Sequence, residues 1–311
     1  MTEARKGILA MVGACTIWGL SPLYYKLLVA VPPGEVLSHR TLWSLAFFGI
    51  VLALQGRLAQ VPRLLSGRRA LIVVLAAVAI SANWFMFILS IQIDRAVEAS
   101  LGYYIFPLVA VMLGVIAFGE RLRPAQGMAV ALAATAVALL TWGLGVTPWI
   151  SLFLAGTFGI YGLMKKRLDA GPVVSVTAEV LVLSPLATLW LAGIHDGLWS
   201  EGRPGGFFGH DLHLSLLLAF SGVLTGGPLI LFSYAARRVN MTTVGLIQYL
   251  NPTLQFLCAT LVFREPFTPW HLGAFALIWT ALAIYSAEAL RQDRAARRAA
   301  ASAATSGISV T

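Results

Sequence analysis

"FGERLRP" at residues 118–124 and "FREPFTP" at 263–269 share the pattern Phe-x-Glu-x-x-x-Pro, and each follows a long apolar run. Glu120 and Glu265 stand 145 residues apart. The same offset pairs Phe118 with Phe263, Pro124 with Pro269, Pro107 with Pro252, Tyr104 with Tyr249 and Phe87 with Phe232, so the register holds without a gap across three apolar segments. A looser match at an offset of 140 sets Trp18, Gly19 and Lys26 against Phe158, Gly159 and Lys166. Self-similarity at a fixed spacing marks a repeated structural unit.

Composition says what that unit is made of. Of 311 residues, 59% are hydrophobic and 11% charged, with a mean hydropathy of +0.82; a soluble domain has about 45–50% apolar and about 25% charged residues. Apolar runs lie at 7–29, 35–54, 70–91, 97–118, 125–143, 149–164, 172–194, 213–235, 241–262 and 270–290. Their lengths suit helices that cross a bilayer, which need roughly 17–25 residues. They are continuous rather than alternating, which argues against the strands of a membrane barrel. The expected fold is an all-α membrane protein of about ten transmembrane helices: a five-helix repeat over 1–145, a second over 146–290, and a basic cytoplasmic tail, expected to be disordered, at 291–311. Because five is odd, the second copy enters from the opposite side of the membrane, which makes the pair an inverted repeat. Such symmetry suits a site opened alternately to each side, the work of a transporter.

The formal charge of +9 is a topology signal. With the N-terminus in the cytoplasm, the 22 basic residues divide into 17 on the cytoplasmic side, 3 on the other (Arg95, Arg203 and Arg264) and 2 within spans (Lys26 and Arg40). Cytoplasmic loops collect Lys and Arg, so both termini are expected in the cytoplasm. No face interleaves aromatic and basic residues, and no nucleic-acid partner is expected. Cys15 and Cys258 fall within spans, without disulfide or metal spacing. His195, Asp196, His210, Asp211 and His213 share one external loop, where ordinary loop chemistry explains them; no metal, cofactor or ATPase subunit is expected.

Candidate substrate contacts are polar and aromatic residues near the middle of spans, because an unpaired amide in hydrocarbon is costly and should face a cavity or a partner. They are Trp18, Ser21, Ser81, Asn83, Trp84, Tyr103, Tyr104, Tyr161, Gln248, Tyr249 and Asn251, with Thr225 and Tyr234 at similar depth. Each also has a structural reading, as interhelical glue or as part of the aromatic belt. Pro107 and Pro252 sit at matched depths and are candidate hinges, since a missing N–H weakens a helix there. Ionisable residues with a candidate gating or charge role are Glu35, His39, Arg40, Glu98 and Glu179. Glu98 also suits a helix N-terminus, and Glu179 an ion pair.

The stretches "EVLSHRTLWS" (35–44), "EASLGYY" (98–104), "YGLMKKRLD" (161–169), "GLIQYLNPTLQF" (245–256) and "REPF" (264–267) carry a resemblance. The chain resembles the drug/metabolite transporter superfamily with paired EamA-type repeats, in its RarD-like branch, over nearly its whole length before residue 290. One departure is Phe106-Pro107, where RarD-like chains usually read Asn-Pro; Asn251-Pro252 keeps the pattern. The resemblance implies ten helices, an inner-membrane location and export of amino acids, related metabolites or drug-like compounds. The expected function is therefore secondary export of small metabolites, aromatic and other neutral amino acids first, by alternating access, with a small molecule and the lipid bilayer as partners and no enzymatic activity. A broad drug-like exporter is the alternative reading, and a membrane-embedded enzyme or sensor the one from another class.

The uneven basic charge sets a test of topology. Single cysteines at Ser66 and Gly205 should react with an impermeant thiol reagent from opposite sides of the membrane; labelling of both from outside the cell would overturn the ten-span arrangement.

Overall fold

The computed structural model describes residues 2–119, 123–145, 147–198 and 205–306. Glu120, the acidic residue of the first motif copy, lies outside them. The helices are α1 (Glu3–Leu27), α2 (Pro33–Leu54), a short α3 (Gln60–Leu64), α4 (Gly67–Gln92), α5 (Ala96–Phe118), α6 (Pro124–Leu144), α7 (Trp149–Lys166), α8 (Pro172–His195), α9 (Leu212–Ala236), α10 (Met241–Gln248), α11 (Leu250–Leu257) and α12 (Pro269–Ser306). No strand occurs among the described residues. Among the described residues, eight helices are long and apolar enough to cross a membrane: α1, α2, α4, α5, α6, α8, α9 and α12. The two remaining apolar runs form α7, of 18 residues, and a broken segment made of α10, α11 and a π-helical turn at Cys258–Val262.

Local chemistry explains the helix ends. Thr2, Asp211 and Asn240 accept from the backbone N–H three residues ahead and so start α1, α9 and α10. Proline opens α2, α6 and α8, where its missing N–H costs nothing. Gly119 and Gly145 end α5 and α6 in the left-handed conformation. Ile50, Leu54, Ile116, Trp142, Leu186 and Leu189 stand exposed, an apolar outer surface that lipid covers. α12 continues to Ser306 where the sequence predicts disorder; its last turns are rich in Ala and Arg, good helix formers that extend an existing helix.

Helix packing follows the repeat. α1 packs on α9 and α11, and α7 packs on α4 and α5. Under the sequence offsets these pairs exchange, while α2 with α8 and α6 with α12 pair each element with its own repeat mate. The correspondence reaches single residues. A Cβ on Gly19 of α1 would stand 2.6 Å from Leu254 Cβ of α11, and one on Gly159 of α7 would stand 2.8 Å from Leu113 Cδ1 and 3.2 Å from Val109 Cγ1 of α5. Gly19 matches Gly159, and Leu254 matches Val109. Small residues let helix backbones approach closely where burial alone supplies little driving force.

The two proline helices differ. α5 runs through Pro107 without interruption, whereas the second copy breaks at Tyr249, three residues before Pro252. Pro252 has no N–H for the Gln248 carbonyl and its ring crowds that group, so the helix parts one turn earlier. The π-helical turn then leads to Arg264 at φ 55° and to Glu265, which reaches back across the bundle: its two carboxylate oxygens accept from Ala96 N at 2.7 Å and Val97 N at 2.8 Å, the first amides of α5. Burial pushes this carboxyl up from its usual range, and the amide donors oppose that shift.

Gly19→Leu and Gly159→Leu should each lower the apparent melting temperature in detergent, by overpacking worth about 1–3 kcal/mol. Gly49→Ala, with nothing within 4 Å of its Cβ, is the control. An unchanged melting temperature in both leucine variants would mean that these helix pairs are not in close contact.

Candidate functional site

A cavity of about 1000 Å³ lies between the helices. Trp18 and Ser21 of α1, Asn83 and Trp84 of α4, Tyr103 and Pro107 of α5, Tyr161 of α7, Gln248 of α10, Tyr249 at the α10–α11 break, and Asn251 and Pro252 of α11 all face it. Nine of the eleven sequence-predicted contacts and both prolines are thus brought together. Ser81 is half-buried on α4 and is not among the facing residues. Tyr104 turns instead to a smaller crevice of about 360 Å³ with Tyr249, Trp279 and Ser286, its hydroxyl 2.7 Å from Thr253 Oγ1.

The cavity reaches the end of the bundle that carries the basic loops, where Gln126, Lys165, Lys166 and Ala289 line it. Contacts between elements close the other end. Tyr24 donates to the Leu217 carbonyl at 2.6 Å, and Gln92 donates to the carbonyls of Leu28 and Val31 at 3.1 and 2.9 Å. Lys26 pairs with Asp94. Two of the predicted gating residues hold a loop over this end: Glu35 accepts from Phe207 N at 2.7 Å, and His39 stacks on Phe208 with ring centroids 4.7 Å apart. Gly206 serves the same clasp, since its φ of +73° disfavours a side chain and a Cβ there would lie 3.0 Å from Glu35 Oε1. Glu98 lies elsewhere, in the first turn of α5, paired with Arg95 at 2.8 Å.

Arg40 is the charged group at the deep end of the cavity. Its side chain is buried, its Nε donates to Thr225 Oγ1 at 3.0 Å, and its guanidinium carbon lies 4.0 Å from the centre of the Trp84 ring and 5.8 Å from that of Tyr25. A desolvated cation over an indole is worth about 2 kcal/mol. Thr225 in turn donates to the Ser221 carbonyl at 2.8 Å, so the hydroxyl is held as an acceptor for Arg40. Among the described residues no carboxylate lies within 4 Å of Arg40.

Near the open end stands an ion pair that links α7 to α8. Lys165 bonds Glu179 at 2.6 Å and also reaches Ser175, while Tyr161 donates to the other carboxylate oxygen at 3.1 Å. Glu179 is fully enclosed, whereas Lys165 and Tyr161 face the cavity. The sequence marks Glu179 but not its partner, because Lys165 reads there as one more member of a basic loop. Phe106, Phe158, Gln255 and Tyr285 also face the cavity and were not predicted. Gln255 could have been found by the argument that selected Gln248, an amide within a span; nothing in the local pattern sets the phenylalanines apart from lipid-facing ones.

A model of the EamA-like transporter family matches residues 5–142 and again 147–287. The chain belongs to the EamA-like transporter family. It is 43% identical over 298 residues to Protein RarD of Streptomyces exfoliatus, covering 95% of this chain and 92% of that one. It is 39% identical over 294 residues to Protein RarD of Salmonella typhimurium, covering 94% and 98%. These matches place it in the RarD-like branch, as a multi-pass membrane transporter. A solved crystal structure with 19% identity superposes at a TM-score of 0.60 over 92% of this chain and 98% of the other, a likeness of fold.

Breaking the α7–α8 ion pair should be asymmetric. Lys165→Met strands an enclosed carboxylate and should cost about 3–5 kcal/mol, while Glu179→Leu leaves a lysine that can turn to the cavity and should cost less; the double variant should recover part of the loss. Melting in detergent measures this, and equal, additive effects would remove the pair from the structural account.

Proposed function

We propose that the chain is a secondary transporter of ten membrane spans, arranged as inverted five-helix repeats at 1–145 and 146–290 with the basic tail at 291–311, which exports small metabolites from the bacterial cytoplasm by alternating access. The exchange of helix pairs under the repeat offsets supports the inverted arrangement. A cavity reaching the basic end and closed at the other by the Tyr24, Gln92 and Glu35 contacts supports an inward-facing state, with both termini cytoplasmic. In the outward-facing state these contacts would part and the basic end would close, with Pro107 and Pro252 as hinges.

The observation that carries the substrate reading is Arg40. A buried guanidinium with no carboxylate partner among the described residues presents a planar fork that fits a carboxylate. Trp18, Trp84, Tyr103 and Phe158 supply apolar and aromatic faces for the rest of the molecule. A small metabolite with a carboxylate and an apolar or aromatic body fits both, and aromatic and other neutral amino acids are the class that the family resemblance suggests. The same faces also suit drug-like aromatic compounds, which have no need of Arg40.

Purified protein in liposomes, given a panel of labelled carboxylates, amino acids and drugs with and without a pH gradient, tests this reading. The wild type should move carboxylates, and Arg40→Gln should lower their initial rate at least tenfold while neutral drugs are unaffected. Equal rates in the two proteins would overturn the carboxylate reading, and conversion of substrate to a new species would point to an enzyme.

A further inference from the structure

We infer that the cavity selects organic monoanions, a carboxylate on an apolar or aromatic body without an ammonium group, over zwitterionic amino acids of the same shape. The inference rests on the transporter reading and narrows its substrate class. It follows from what the cavity offers to each end of a substrate. For the anionic end there is Arg40, whose only protein hydrogen bond among the described residues is made by Nε. Both terminal nitrogens are therefore available as a bidentate fork, and stacking on Trp84 fixes the plane in which it is presented.

For an ammonium there is no matching partner. Among the described residues, no Asp or Glu faces the cavity. Of the nearby carboxylates, Glu35 is taken by the loop at Phe207, Glu179 by Lys165 and Tyr161, and Glu265 by the α5 amides; Glu98 gives one oxygen to Arg95, and although its other oxygen is enclosed without a partner, the residue does not face the cavity. Neutral acceptors face the cavity, Gln248 among them, but none carries a counter-charge for an ammonium. Asn83 Oδ1 receives the Tyr103 hydroxyl at 2.9 Å, and Asn251 Oδ1 receives Gln255 Nε2 at 3.0 Å. Gln255 Oε1 is enclosed without a partner, but an amide oxygen can accept at most two of an ammonium's three hydrogens and supplies no negative charge.

Aromatic faces are the remaining way to hold an ammonium, and the protein's own cations already occupy several. Arg40 lies over Trp84 and near Tyr25, and Lys165 lies 5.2 Å from the centre of the Tyr161 ring. Tyr103 and Phe158 pack edge to face on each other. A monoanion neutralises the Arg40 charge on entering. A zwitterion's carboxylate pairs with Arg40 in the same way, but its ammonium is then desolvated with no counter-charge and the site keeps a net positive charge, the costlier arrangement at low dielectric.

Phenyllactate and phenylalanine make the test, since they share ring, chain and carboxylate and differ in hydroxyl against ammonium. Initial uptake into liposomes holding the purified full-length protein, less the uptake into protein-free liposomes, should be at least tenfold faster for phenyllactate at equal concentration and pH 7.5. Gln255→Glu, which places a carboxylate on the cavity wall, should shift the ratio at least tenfold towards phenylalanine. Phenylalanine moving as fast as phenyllactate, or a Gln255→Glu protein that melts normally with an unchanged ratio, would overturn the selection while leaving the carboxylate reading intact. If neither compound moved and phenyllactate also failed to raise the melting temperature of the wild type, both readings would fall.

Discussion

The carboxylate of Glu265 on the first two amides of α5 shows the constraint on which the whole structure depends: a polar group in or near hydrocarbon must find its partner inside the protein. Those amides have no intrahelical acceptor, and Glu265, 168 residues away from the nearer in sequence, supplies two. Holding it in reach takes the π-helical turn and the positive φ of Arg264, a bend in one half of the chain that serves a helix start in the other. The second copy of the motif is therefore part of the join between the halves rather than an isolated loop signature.

The same rule sorts the charged side chains. Glu179 is enclosed because Lys165 and Tyr161 meet it, and Glu35 is buried because a loop amide does. Arg40 is the exception that gives the cavity its character: Thr225 and the Trp84 face hold it, yet neither neutralises it. Holding an uncompensated cation at depth costs stability, and such a group earns a functional reading where it faces a cavity. Carboxylate binding would supply the missing charge, which links the energetics of the resting protein to the chemistry of its proposed substrate.

Symmetry and its breaking both matter for the proposed cycle. The Gly19 contact on α11 and the Gly159 contact on α5 are near copies, so the two sides of the bundle are held by similar packing. Pro107 and Pro252 are not equivalent in this state: one lies in an unbroken helix and the other beside a break. Two packings of matched helices with unequal local geometry are what an alternating pair of states requires.

Sequence alone determined the lipid setting, because apolar runs of spanning length have no other solvent, and it determined the repeat register, because Pro107 and Pro252 or Tyr104 and Tyr249 keep one offset. It also picked out nine of the residues that face the cavity, since a polar or aromatic group deep in a span needs a cavity or a partner, an argument that missed at Ser81 and Tyr104. Only the tertiary structure decided that Arg40 lacks a carboxylate partner among the described residues, that Lys165 meets Glu179, and that Tyr104 turns to the side crevice. Those outcomes depend on how each helix is rotated about its axis. In a soluble protein a polar face would report that rotation, but here the side facing lipid is as apolar as the side facing the core, so the periodic signal vanishes. Pairings such as Arg40 with Thr225, 185 residues apart, then arise only when the helices pack.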